Sequence, residues 1–209
     1  MELIFDGPQD GPLFVFSHGA GAPLDSDFMQ QVAQGLAKRG IQVVRFNYNY
    51  MQQRIETGSR RPPERAPKLL EQFTQVLSQL DKPMVIGGKS MGGRMASLLL
   101  AQPEDKNTNV KGLACLGYPF HPQGKPDKLR TEHFPDIDVP ILILQGERDA
   151  LGNKKEVQSY NLPESIQWLW LADGDHDLKP RVKSGYRHQQ HIESAIERLA
   201  QFILNTITL

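Results

Sequence analysis

The spacing of apolar residues along the chain alternates between two periods. Continuous apolar runs recur at LFVF (13–16), IQVVRF (41–46), MVIG (84–87), GLACLG (112–117), ILILQG (141–146) and IQWLWL (166–171). Their length and lack of polar alternation predict strands buried on both faces. A further short run, LIF (3–5), is joined to LFVF by a turn rich in Gly, Pro and Asp, so those two strands are expected to pair antiparallel. Between the runs the period lengthens. Phe28, Val32, Leu36 and Ala37 recur at helical spacing, as do Leu69, Phe73, Val76, Leu77 and Leu80. Ile192, Ile196, Leu199 and Ile203 form a stripe from which Glu193, Glu197 and Arg198 are excluded, the pattern of a helix with one packed face. Strands alternating with helices predict a mostly parallel sheet of about seven strands covered on both sides, an α/β fold of three αβα layers.

Composition narrows the class of partner. The 209 residues suffice for one well-buried core and are short for two, so residues 1–209 are expected to form a single domain. Twenty-four basic residues balance 24 acidic ones, without the basic excess that phosphate contacts demand, and no nucleic-acid partner is expected. No apolar stretch approaches the roughly 20 residues of a spanning helix, and the first residues lack the pattern of a signal peptide, which predicts no membrane partner and a cytoplasmic location. Cys115 is the only cysteine and lies in an apolar run, where a packed thiol is expected rather than a reactive one.

In a parallel sheet, ligands bind where the carboxyl ends of strands give way to loops. The segments that follow the predicted strands are SHGAGAP, KSMGG, ERDA and GDHD. The letters GKS at 88–90 suggest the end of a nucleotide-binding loop, but the glycine such a loop needs five positions earlier is Pro83, and the residues between are apolar. The same stretch completes G-x-S-x-G at Gly88, Lys89, Ser90, Met91 and Gly92. A strand-to-helix elbow exposes a serine hydroxyl at the top of a sheet, and the glycines clear its sharp turn. A plain helix N-cap is the alternative for Ser90. Asp149 and His176 stand at two later strand ends, in the chain order Ser, Asp, His of α/β-hydrolases. His176 would act as the base and Asp149 would orient it, with Glu147, Asp173, Asp175 and Asp177 as alternatives. Of the other histidines, His133, His188 and His191 are expected to be solvated. The small residues of SHGAGAP allow backbone N–H groups to approach a developing oxyanion, and the two donors are assigned to Ala20 and Met91.

These features resemble the α/β-hydrolase superfamily over nearly the whole chain. SHGAGAP, RRPPERAP, GGKSMGGR, GYPFHPQGKPDKLR and DGDHDLK together are similar to a small branch of dienelactone-hydrolase-like proteins. That branch includes the testis-expressed hydrolase-like proteins and the hydrolase-like subunit of the nonspecific-lethal chromatin complex. The resemblance implies a three-layer fold and a serine hydrolase acting on an ester, thioester or related acyl bond of a small molecule through an acyl-enzyme, with no cofactor and no metal. Dienelactone hydrolases proper carry a cysteine where this chain has Ser90. A silent hydrolase-fold interaction module is the alternative, since a fold does not guarantee a function.

About 20 residues separate Tyr118 from Ile141, too few for a cap domain at the usual point of lid insertion. Tyr118, Phe120 and His121 are candidates to line the pocket, with packing beneath a loop as the alternative. In RIETGSRRPPER (54–65), Arg60 and Arg61 are candidates to grip an anionic part of the substrate, against the alternative of a solvated basic loop.

Overall fold

A computed structural model describes residues 2–102 and 108–208. Seven strands, β1 (Leu3–Asp6), β2 (Leu13–Ser17), β3 (Gln42–Phe46), β4 (Met84–Lys89), β5 (Val110–Leu116), β6 (Ile141–Gly146) and β7 (Gln167–Leu171), form one sheet in the order β1-β3-β2-β4-β5-β6-β7. All pairs are parallel except β1 with β3. The helices are α1 (Asp27–Ala37), α2 (Asn49–Thr57), α3 (Ala66–Leu77), α4 (Met91–Leu100), the short α5 (Lys154–Val157) and α6 (His188–Thr208).

The apolar runs are two-sided because each strand feeds two cores. Leu13 and Val15 of β2 face one cluster while Phe14 and Phe16 face the other, and β5 and β6 divide their residues in the same alternation. One core receives Phe73 and Val76 of α3 and Met95 and Leu99 of α4; the opposite core receives Val32 and Leu36 of α1 and Ile192, Leu199 and Ile203 of α6. This is the expected αβα sandwich without a separate cap.

Local pairings depart from expectation. LIF does not pair with LFVF: β1 runs antiparallel to β3, and β2 is held between β3 and β4. Every residue of β2 is buried, so it takes an interior place, whereas β1, with a half-exposed pattern, takes the edge. The intervening turn crosses the start of β3, where Pro12 O accepts the N–H of Gln42 at 2.9 Å. At the other edge IQWLWL is only partly covered, because β7 has one neighbouring strand. On α1 the packed face is Met29, Val32, Ala33 and Leu36, while Phe28 is half-buried and turned toward a cleft described below. Part of the arginine-rich stretch is helix α2 rather than loop. No helix among the described residues is long and apolar enough to cross a membrane.

Candidate active site

The site forms where β2, β4, β6 and β7 end on the same edge of the sheet. Ser90 separates β4 from α4 and adopts φ 51°, ψ −113°, a conformation L-residues avoid and one in which its side chain is lifted clear of both elements. The turn closes only because its neighbours lack side chains. A Cβ on Gly88 or Gly92 would overlap the carbonyl oxygen of Ser17, and one on Gly93 would press on Gly88 O and on Cys115. Cys115 is fully buried and burial raises its thiol pKa, as expected for a packing residue.

Ser90, His176 and Asp149, 86 and 27 residues apart along the chain, meet at the strand ends. Asp149 is fully buried, and a carboxylate can only accept, so the ring proton of His176 sits on Nδ1 and is donated to Asp149 Oδ2 at 2.7 Å. Nε2 is thereby left as an acceptor for the Ser90 hydroxyl at 2.8 Å. The other carboxylates are engaged elsewhere: Glu147 with Lys154, Asp173 with Arg148 and Arg181, Asp177 with Lys89. Asp175 accepts the backbone N–H groups of Asp177 and Lys179 at 2.9 Å and closes the loop on itself.

A residue that sequence reasoning passed over fixes Asp149. Gln145, buried in β6, donates to Asp149 Oδ2 at 2.9 Å and accepts the N–H of Tyr118 at 2.7 Å, while Asp149 Oδ1 accepts the N–H of Leu151 at 2.8 Å. An uncharged polar residue inside an otherwise apolar strand, ILILQG, was the available signal.

The loop after β2 is also tied down from beneath. His18 is fully buried; Nδ1 donates to Gly19 O at 2.6 Å and Nε2 accepts the N–H of Tyr48 at 3.2 Å, so the ring is neutral in one tautomer. Burial pushes its pKa down to about 4. The Tyr50 hydroxyl and Arg54 Nη1 each donate to Ala20 O at 3.2 Å. No peptide bond among the described residues is cis, so the Gly19 carbonyl that His18 holds points away from the Ala20 N–H in the same peptide unit. Ala20 borders the same cleft as Ser90 and His176. Met91 opens α4, and its N–H is one that a helix leaves without an intrahelical partner.

That cleft, of about 300 Å³, is bordered also by Ala22, Phe28, Met29 and Lys89. Tyr118, Phe120 and His121 do not border it. Tyr118 and Phe120 are fully buried in edge-to-face contact with each other, and the Tyr118 hydroxyl donates to Arg130 O at 2.9 Å. His121 is buried with Nε2 3.5 Å from Glu156. The chain leaving β5 turns inward because its aromatic residues complete the core beside Phe134. Arg60 and Arg61 are exposed, and Arg61 donates to Gln53; of the arginine run, Arg54 is the member that reaches the loop after β2. The expectation of solvated histidines also needs correction. His133 is half-buried with Nε2 2.8 Å from Ser97 Oγ and a pKa pushed down to about 4 by burial, and His191 is buried with Nδ1 donating to Leu178 O at 2.8 Å.

Known structures share this architecture. A ferulic acid complex of Est1E from Butyrivibrio proteoclasticus superposes with a TM-score of 0.71 at 17% identity, covering 100% of this chain and 96% of that one. A dienelactone hydrolase from Anabaena variabilis gives 0.69 at 15%, covering 99% and 93%. An alpha-beta serine hydrolase homologue from Coxiella burnetii gives 0.68 at 15%, covering 94% and 90%. At these identities the likeness establishes the fold. The sequence model of the alpha/beta hydrolase domain matches residues 10–204, almost the whole chain, and the protein therefore belongs to the α/β-hydrolase family.

Proposed function

We propose that the protein is a serine hydrolase that cleaves a carboxylic ester, thioester or related acyl bond of a small molecule. The observation that carries this reading is the unbroken chain Ser90–His176–Asp149, with bonds of 2.8 and 2.7 Å and a buried aspartate at its end. His176 takes the Ser90 proton as Oγ attacks the acyl carbon, and Asp149 stabilises the imidazolium that forms. The negative oxygen of the tetrahedral intermediate is received by the N–H groups of Ala20 and Met91. His176 then returns the proton to the departing alcohol or thiol, and water repeats the sequence on the acyl-enzyme. In each half-reaction one proton passes through His176 Nε2, from Ser90 to the leaving group and then from the attacking water back to Ser90, so this scheme calls for no cofactor.

The motifs around the elbow and the histidine support assignment to a small lidless branch similar to dienelactone hydrolases, and the open cleft suits a small-molecule acyl donor; a cytoplasmic location goes with this reading. A fluorophosphonate probe tests the assignment. Wild-type protein should be labelled on Ser90 and Ser90→Ala should not be. A wild-type protein that resists the probe and turns over no ester or thioester would favour the silent interaction module instead.

A further inference from the structure

Lys89 precedes the nucleophile and lies at the wall of the cleft, yet its cation is almost enclosed. It is 8% exposed; Nζ donates to the backbone oxygen of His176 at 2.7 Å, pairs with Asp177 Oδ1 at 3.1 Å, and lies 5.4 Å from the centre of the Phe28 ring. Its slot exists because residue 117 is glycine: a Cβ there would come 3.1 Å from Nζ and 2.7 Å from His176 O. Burial lowers the pKa of Lys89, and Asp177 opposes that shift. Enclosing an ammonium group in this way costs desolvation that a lysine pointing to water would not incur.

The loop that carries His176 explains what the enclosed cation supports. Asp173 and Leu178, on either side of the histidine, both have positive φ, 55° and 63°, which non-glycine residues rarely adopt. Asp173 anchors the loop to Arg148 and Arg181, and Asp175 ties it to itself. These contacts lie on the side of β6 and β7. Apart from the Ser90–His176 bond, the side-chain link from the elbow to this loop is the one made by Lys89.

We propose that Lys89 is a positioning residue, which locks the His176 backbone onto the nucleophile elbow and, as a pair with Asp177, keeps the charge beside the imidazole balanced. This rests on the serine-hydrolase reading of the site. The charged and titratable groups around His176 are Asp149 from the segment after β6, Lys89 at the end of β4, Asp175 and Asp177 in its own loop, and His188 of α6, whose Nε2 donates to Asp177 O at 2.9 Å. Loss of the lysine charge alone leaves Asp177 to favour the imidazolium. The acid limb of the pH–rate profile then moves to higher pH. Loss of both charges restores the balance but not the tether.

The test uses wild type, Lys89→Met and Lys89→Met/Asp177→Asn on 4-nitrophenyl acetate, with folding checked by circular dichroism and thermal unfolding. Prior labelling and turnover of wild type establish the underlying reading, and their failure would count against that reading rather than against Lys89. For Lys89→Met the expected result is a kcat lowered tenfold or more, KM within about twofold, and an acid limb of kcat/KM raised by about half a pH unit or more. In the double variant the limb should return while kcat stays low. A folded Lys89→Met with unchanged kcat and limb overturns the proposal, as does a rise in KM alone, which would make Lys89 a substrate ligand. If Lys89→Met does not fold, Asp177→Asn, a change at an exposed side chain, takes its place. Asp177→Asn should lower kcat by weakening the clamp, and unaltered kinetics would overturn the proposal.

Discussion

Individual residues in this site are fixed by what surrounds them more than by their type. His18 and His176 are both histidines at strand ends, yet one is enclosed with both nitrogens engaged by backbone groups and the other has a nitrogen turned toward Ser90. The first has a consequence for stability. Its pKa falls from 6.5 to about 4 on folding, so between those values the unfolded chain binds a proton that the folded chain refuses. Stability is thus fully present above about pH 6.5 and is lost as pH falls toward 4, by at most about 3 kcal/mol for this group. His133, shifted in the same direction, adds to the slope. Urea unfolding of wild type and His18→Asn across that range should show a flatter pH dependence in the variant. Parallel curves would remove His18 as the source.

The decisive element is the turn from β4 into α4, held against the end of β2. Ser90 keeps its left-handed backbone because Gly88 and Gly92 let the carbonyl of Ser17 come within contact of the elbow, and neither strand nor helix can shift without breaking sheet hydrogen bonds. Gly92→Ala should therefore destabilise by about 3 kcal/mol, since the atom in its way is backbone and cannot rotate aside. Gly21→Ala supplies the comparison. Nothing lies within 4 Å of a Cβ at that position and its φ is not positive, so its effect on the unfolding midpoint should be near zero. Equal midpoints for the two variants would show that the elbow tolerates a side chain and that the packing argument fails.

At the scale of the molecule, the segment between β5 and β6 decides what reaches the serine. It folds into the core through Tyr118, Phe120 and Phe134 and leaves the cleft beside Ser90 open and small. An acyl chain gains binding only while its methylenes are buried, about 0.8 kcal/mol or roughly fourfold each. Among 4-nitrophenyl esters, kcat/KM should climb from acetyl to butyryl and then level off before palmitoyl. A continued rise with length would reveal an apolar channel beyond the cleft. A grip of the exposed Arg60 and Arg61 on an anionic ester would show as a KM raised in Arg60→Ala/Arg61→Ala and as a wild-type advantage that shrinks with salt, and equal KM values on anionic and neutral esters would leave them a solvated surface feature.

The alternation of apolar runs and helical stripes was enough to point to the layers, because strands buried on both faces and separated by amphipathic helices call for a parallel sheet covered on both sides. The elbow was equally legible, since a strand, a serine and four glycines occur within eleven residues. Chain order then pointed to Asp149 and His176. Other features depend on partners distant in the chain. Which strand lies beside β1 was decided by β3 and β4 occupying both edges of β2, and nothing within residues 1–17 records that. Tyr118 and Phe120 read equally well as pocket lining or core, because an aromatic residue at a strand end is apolar in either setting, and only the neighbouring Phe134 and Gln145 resolve it. Lys89 lay inside the quoted motif with its role invisible, for the atoms that define that role, His176 O and Asp177 Oδ1, are nearly ninety residues away. Local pattern reports how each residue meets water, whereas the pairings between distant segments are settled when one packing satisfies all their buried polar groups together.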